Sequence, residues 1–159
     1  SIKTVMLAAN WSYYWAEQKQ FSATGRPYLR AEYEKSFVAT LKAYRALGKA
    51  VVVVYQSPGI DDPKVCVSRR FQPASVANQC ALSRQQADAR GTYRQFMSPV
   101  LQQLKVKSLD PYAYFCNAKE CTLKDGDKIF ITTATHLSGF GGQYLARKAK
   151  PDLQKLLQF

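Results

Sequence analysis

Apolar positions along the chain follow two kinds of pattern, which predict strands and helices. Segments rich in Val, Ile and Leu are typical of strands buried in a parallel sheet, and they occupy residues 2–9, 50–55 and 129–132. Residues 106–109 are a candidate for a further short strand. Apolar residues spaced three and four apart are typical of helices that pack through one face, and they occupy residues 31–47, 82–104 and 141–157. Because strands and helices alternate, we expect an α/β fold, a three-layer sandwich with a mainly parallel sheet.

Glycine and proline mark the places where these elements end or weaken. Gly48 predicts the end of the first long helix. Gly91 and Pro99 are expected to weaken or bend the second one. The polar residues 17–27 predict a loop. A length of 159 residues suits one compact domain with a real core, so we predict a single domain over residues 1–159.

The composition adds a strong positive charge. The formal net charge of +12 favours contact with polyanions such as nucleic acid, acidic glycans or anionic lipid head groups. The basic residues are scattered and no nucleic-acid-binding motif is present. A solvated basic surface is therefore the simpler interpretation, and we predict no nucleic-acid partner. The longest apolar run, residues 50–55, is too short to span a membrane.

The four cysteines form two local pairs in loop-like sequence, Cys66 with Cys80 and Cys116 with Cys121. An even count in this arrangement predicts two disulfides and an oxidising compartment. A zinc site and free thiols are the alternatives. The spacings are not those of a zinc ribbon, and the chain has a single histidine. We therefore expect no metal ion.

Two polar side chains follow predicted strands and are candidates for chemistry. His136, the only histidine, lies between a strand-like run and the last helix, in a glycine-rich segment. An imidazole in such a position can move protons near neutral pH, although a lone histidine without chemistry is the alternative. Asn10 follows the first predicted strand, where ligands bind in open parallel sheets. A turn residue that satisfies the backbone is the other interpretation of Asn10.

The aromatic residues after Asn10 have two interpretations of their own. They are Trp11, Tyr13, Tyr14 and Trp15. Aromatic rings beside a catalytic strand end can stack on sugar rings, and the alternative is that they pack against a neighbouring helix.

Three patches of the chain together carry a resemblance to a known family. They are Val5-Met6-Leu7-Ala8-Ala9-Asn10-Trp11-Ser12, the Cys116 to Cys121 turn, and His136-Leu137-Ser138. In this order they resemble the SGNH hydrolase superfamily. More narrowly, they resemble the SGNH domain fused to bacterial membrane acyltransferases that acylate surface carbohydrates. The resemblance implies an SGNH/flavodoxin-like fold. It also implies acyl transfer or ester hydrolysis by a serine nucleophile, with His136 as the base and Asn10 as an oxyanion donor.

The chain departs from the family pattern at the nucleophile. The family serine lies in a Gly-Asp-Ser motif, and no such motif occurs here. We therefore expect the nucleophile on polypeptide upstream of residue 1 and a domain that is N-terminally incomplete, without its first strand or strands. Ser12, Ser57 and Ser138 do not lie in this motif, so none of them is predicted to be the nucleophile. Ser138 is predicted to cap the final helix instead.

A second departure concerns the residue that orients the histidine. The family often has an aspartate three residues before it, and Thr133 occupies that position. A backbone carbonyl is one substitute for the carboxylate. Asp110, Asp125 and Asp127 are others.

Together these features predict an acyl-handling domain outside the cytoplasm, in the periplasm. It would transfer an O-acetyl group to a bacterial surface carbohydrate, or remove one, without a cofactor. The expected partners are an acylated carbohydrate or glycan acceptor and a membrane acyltransferase domain upstream in the same parent protein. The alternative is a non-catalytic carbohydrate- or partner-binding module on an SGNH-like scaffold.

Overall fold

The computed structural model describes residues 2–16, 30–67 and 80–157. The predicted loop at 17–27 and part of the segment between Cys66 and Cys80 lie outside these ranges. The chain divides into two compact units, Ser1–Tyr55 with Gly91–Leu109, and Gln56–Arg90 with Asp110–Phe159. No helix among the described residues is long and apolar enough to cross a bilayer.

The first unit contains a parallel sheet with helices. Its elements are β1 (Thr4–Ala8), α1 (Trp11–Trp15), α2 (Arg30–Ala46), β2 (Ala50–Val54), α4 (Arg94–Gln103) and β4 (Lys107–Leu109). The second unit contains short hairpins and helices. Its elements are a 3₁₀ helix (Pro63–Cys66), β3 (Ala81–Ser83), α3 (Arg84–Arg90), α5 (Tyr112–Phe115), β5 (Glu120–Thr122), β6 (Lys124–Asp125), β7 (Lys128–Ile129), β8 (Ile131–Thr133), β9 (His136–Leu137) and α6 (Gly139–Leu157).

The strand order β1-β2-β4 confirms the predicted α/β fold with a parallel sheet. Val5 pairs with Val51, and Val54 pairs with Leu109. Both pairings are parallel, as expected for strands that are separated by helices. Strand β2 is the central strand, and its Val52 and Val53 are completely buried.

Strand β1 differs from the sequence prediction because it is only partly buried. Residues 2–9 were expected to form a buried strand, yet the Met6 side chain is 44% exposed. Within the described part of the chain, β1 pairs along one edge only, with β2. An edge strand is open to solvent along its unpaired side, which the hydrophobic pattern alone does not reveal.

The core of the first unit is built on one face of β2. Val51 and Val53 pack with Phe37 and Leu41 from α2, and the same cluster includes Met97 from α4. The alternation of Val51 and Val53 follows from the two-residue period of a strand. This core fixes the carboxyl end of β2 beside α1, since the buried Trp11 donates from Nε1 to the Val54 carbonyl at 2.7 Å.

The predicted end of α2 is confirmed in detail. Gly48 has φ +67°, and its N–H donates to the Arg45 carbonyl, while the Lys49 N–H donates to the Tyr44 carbonyl. These two bonds form a Schellman motif, which requires the left-handed conformation that glycine adopts without strain.

The region predicted as one helix over residues 82–104 is divided in two. Helix α3 (Arg84–Arg90) ends before Gly91, and α4 (Arg94–Gln103) begins after Tyr93, whose side chain is 1% exposed. The low helix propensity of glycine explains the position of the break. The start of the region is also different, because residues 81–83 form strand β3, which pairs with β5 in a two-stranded antiparallel sheet.

The second unit has a separate core, and both predicted disulfides are confirmed there. Cys66 bonds to Cys80, and Cys116 bonds to Cys121. Three of these cysteines join a buried cluster with Leu82, Leu123 and Ile131, among others. Ile131 belongs to β8, so this core anchors the hairpin that carries His136.

Candidate active site

His136 lies in the antiparallel hairpin β8–β9, where it pairs with Thr133 across a two-residue turn. The sequence placed it between a strand and a helix, and the structure adds that it is itself part of a second, very short strand. The side chain is exposed rather than buried among hydrocarbon. The hairpin therefore presents the ring to solvent.

Two hydroxyl groups surround one nitrogen of this ring. Thr133 Oγ1 lies 2.7 Å from His136 Nδ1, and Thr135 Oγ1 lies 3.2 Å from it. Thr133 occupies the position where the family often has aspartate. At this position the structure therefore has a neutral hydroxyl beside the ring nitrogen.

The turn that carries His136 contacts another segment of the same unit. Gly59 is buried, and a Cβ atom at its position would lie 2.0 Å from the Ala134 carbonyl oxygen. Only glycine permits this approach, since real Cβ contacts are longer. No motif in the sequence indicates this role of Gly59. The Pro58-Gly59 pair after a strand signals a turn, but not which backbone it meets.

An ion pair near Gly59 links the segment after β2 to helix α3. Arg90 Nη1 and Nη2 donate to the two carboxylate oxygens of Asp61 at 2.8 and 2.7 Å. These hydrogen bonds and the positive charge lower the pKa of Asp61, and the same carboxylate raises the pKa of Arg90. Because the Asp61 side chain is 82% exposed, water screens the pair and its contribution to stability is small.

Ser138 caps the final helix, as predicted. Its Oγ accepts a hydrogen bond from the Gly141 N–H at 3.1 Å and donates to the Ile129 carbonyl. The hydroxyl therefore donates one hydrogen bond to the backbone and accepts another from it. The Ser138 hydroxyl thus serves the backbone of the hairpin and of the helix.

Asn10, in the first unit, is the N-cap of α1. Its Oδ1 accepts from the Tyr13 N–H at 3.2 Å and from Ser12 Oγ at 3.0 Å. A backbone N–H can only donate, so the atom that faces it must be the oxygen of the amide. The interpretation as a turn-capping residue is therefore confirmed. The same cap fixes the orientation of the amide, and Nδ2 remains the end that carries donors.

The aromatic residues after Asn10 serve mainly in packing. Trp11 makes an edge contact with Phe37 at 5.7 Å, and Trp15 stacks on Phe96 at 5.7 Å. Tyr13 is 46% exposed. A cavity of about 350 Å³ lies within the first unit beside β1 and α2, and its lining includes Met6, Trp11, Tyr14, Phe37 and Thr40.

The described residues contain no group of three or more His, Cys, Asp or Glu side chains that suits a metal ion.

Comparison with solved structures shows the fold. The periplasmic domain of a Salmonella ser. Paratyphi A lipopolysaccharide acetyltransferase has a TM-score of 0.68 at 12% identity, covering 96% of this chain and 57% of that one. A candidate acylhydrolase from Bacteroides fragilis NCTC 9343 has a TM-score of 0.55 at 12% identity, covering 98% and 62%. A GDSL-like lipase from Bacteroides thetaiotaomicron VPI-5482 has a TM-score of 0.51 at 13% identity, covering 98% and 63%.

The chain thus spans less than two thirds of the length of each of these structures. No curated protein sequence matches it. The model of the SGNH domain (fused to AT3 domains) matches residues 1–151. With the parallel sheet and these neighbours, that match shows that the chain belongs to the family of SGNH domains fused to AT3 domains.

Proposed function

We propose that this domain handles acyl groups through a Ser-His mechanism, with O-acetyl transfer to, or removal from, a bacterial surface carbohydrate as the reaction. The serine nucleophile would belong to polypeptide outside these 159 residues. The observation that carries the proposal is the exposed His136 ring. Its Nδ1 faces hydroxyls, and within the described residues no hydrogen bond uses its Nε2.

Each group has a defined part in the proposed reaction. The serine hydroxyl attacks the acyl carbon and gives its proton to His136 Nε2, which returns it to the leaving alcohol. The Nδ2 donors of Asn10 would stabilise the oxyanion while the negative charge is present. A sugar hydroxyl or water then attacks the acyl-serine and gives its proton to His136, which passes that proton to the serine oxygen as the bond between the acyl group and the serine breaks. A sugar gives transfer and water gives hydrolysis.

The disulfides support a cellular compartment for the domain, and the family supports a neighbouring domain in the same protein. Two disulfides suit an oxidising compartment outside the cytoplasm, such as the periplasm. Members of the family are fused to AT3 domains. We therefore infer that a membrane acyltransferase domain of the same parent protein supplies the acyl group, and that a glycan accepts it.

The direct test uses the parent protein, with the polypeptide encoded upstream of residue 1. Release of p-nitrophenol from p-nitrophenyl acetate is measured for the parent, for His136→Ala and for a control, Lys128→Ala, which changes an exposed residue of β7. Loss of a general base predicts a decrease of at least about 100-fold for His136→Ala. We expect the control to retain the parental rate.

A non-catalytic binding module is the second candidate function. It is favoured by the absence of a Gly-Asp-Ser motif from the chain and by the threonine at the carboxylate position. Equal rates for the parent and His136→Ala would reject the enzymatic proposal and support the binding module. An upstream sequence without a Gly-Asp-Ser motif would do the same.

A further inference from the structure

We propose that Thr133 is the positioning residue of His136, and that its hydroxyl holds the ring in the tautomer with the proton on Nδ1. The catalytic meaning of this inference rests on the proposed function, whereas the tautomer itself is a property of the folded chain. Thr133 thus takes the place of a carboxylate without carrying a charge.

The hairpin fixes the distance between the two side chains. Thr133 and His136 are register partners across the β8–β9 turn, and Oγ1 lies 2.7 Å from Nδ1. A threonine side chain has few χ1 rotamers, so the position of its hydroxyl follows from the strand backbone. The ring is therefore held by a local contact and needs no residue from a distant part of the sequence.

The Thr133 hydroxyl has the acceptor capacity that this role requires. Its Oγ1 already accepts from the Thr135 N–H at 3.3 Å, which uses one lone pair. The second lone pair can accept from Nδ1–H, and the hydroxyl proton then points elsewhere. Thr135 Oγ1, at 3.2 Å from Nδ1, makes the longer and weaker of the two hydroxyl contacts.

The tautomer decides which nitrogen can act as the base. When Nδ1 carries the proton, the lone pair on Nε2 can accept the proton of the nucleophile. When the imidazolium forms, both nitrogens carry protons and Nδ1–H still donates to Thr133. If Thr133 donated to Nδ1 instead, Nε2 would carry the proton and could not act as a base in the neutral ring.

The single histidine makes this arrangement directly measurable. The 159-residue chain is labelled with ¹⁵N-histidine, and two-bond ¹H–¹⁵N couplings report the tautomer at alkaline pH, where imidazoles are neutral. We expect the Nδ1–H form to predominate. Thr133→Val removes the hydroxyl with little change of shape and should lower the ratio of Nδ1–H to Nε2–H about fivefold, the effect of one net hydrogen bond.

Matched variants separate positioning from packing. Thr133→Ser restores the hydroxyl and should restore the tautomer ratio, and Thr135→Val should change it less than Thr133→Val does. In the parent protein, Thr133→Val should lower kcat for aryl acetate about fivefold to tenfold with KM unchanged, and Thr133→Ser should recover kcat.

The two kinds of failure are distinguishable. A predominant Nε2–H tautomer in the unmodified chain, or a ratio unaffected by Thr133→Val, overturns the positioning role. So does a kcat that depends on His136 but is insensitive to Thr133→Val. A rate that does not depend on His136 rejects the proposed function instead, whatever the tautomer.

Discussion

Gly59 and Ala134 meet backbone to backbone, with the Cβ position of Gly59 only 2.0 Å from the Ala134 carbonyl oxygen. Ala134 lies in the turn between Thr133 and His136, so this contact sets the position of the β8–β9 hairpin relative to the segment after β2. The neighbour that would have to move is backbone rather than the end of a flexible side chain. A residue more than 70 positions away in sequence therefore supports the histidine.

Substitution of Gly59 by alanine is expected to displace this turn. Because the added methyl group has no space, the free energy of unfolding should fall by about 1–3 kcal/mol, as in overpacked cores. The rate with aryl acetate should also fall, since Thr133 and His136 flank the displaced turn. Chemical denaturation and the kinetic assay on the same preparation measure both effects.

The control for this variant is Gly142→Ala in α6, where an added Cβ meets no atom within 4 Å. Replacing a helical glycine with alanine should raise the free energy of unfolding by about 0.5–1 kcal/mol. If Gly59→Ala were as stable as the parent, the close approach to Ala134 would be refuted.

The two ends of the Asn10 amide predict different effects for two substitutions. Asn10→Asp keeps an oxygen that caps α1 but removes the Nδ2 donors, whereas Asn10→Ala removes both. We expect Asn10→Asp to melt close to the parent but to lose about 100- to 1000-fold in kcat, as for removal of an oxyanion donor. Asn10→Ala should lose the same activity and, in addition, about 1 kcal/mol of stability.

Thermal melting and p-nitrophenyl acetate kinetics compare these Asn10 variants with the parent. Full activity in Asn10→Asp would mean that the side chain serves the cap alone.

The disulfides should contribute unequally because they close loops of different length. The Cys66–Cys80 bond spans 14 residues and the Cys116–Cys121 bond spans 5. Loop-closure entropy predicts a loss of about 3 kcal/mol for the double alanine variant of the first pair and about 2 kcal/mol for the second. Urea denaturation measures both losses. Alkylation of four thiols without prior reduction would show that neither bond exists.

The raised pKa of Tyr114 leads us to expect a loss of folding stability at alkaline pH. Burial, together with a 2.6 Å hydrogen bond to Asp152, raises its pKa to about 12. The folded state therefore favours the neutral phenol, and the stabilisation is complete below the unfolded pKa near 10. It should decline between about pH 10 and pH 12 by on the order of 1 kcal/mol, after allowance for screening by solvent.

Tyr114→Phe is the matched variant for this effect, because the phenyl ring keeps the packing and has no proton to lose. Urea denaturation from pH 8 upward should show a smaller decline for Tyr114→Phe than for the parent. Parallel curves would contradict the assignment to Tyr114.

The sequence by itself determined the elements whose cause is local. Hydrophobic runs gave the strand β2, and helical spacing gave α2 (Arg30–Ala46) and α6 (Gly139–Leu157) to within two residues. Gly48 and Ser138 were predicted as helix ends because caps depend on neighbouring residues. Both disulfides were also predicted, because the two cysteines of each pair are close together in sequence.

Only the tertiary structure decided which distant groups meet. The exposed side of β1 and the contact of Gly59 with Ala134 depend on what packs against each segment. The sequence placed Thr133 three residues before His136, but only the hairpin register shows that its hydroxyl faces Nδ1. A strand register is set by pairing across the turn and by burial of Ile131, and sequence spacing does not contain that information.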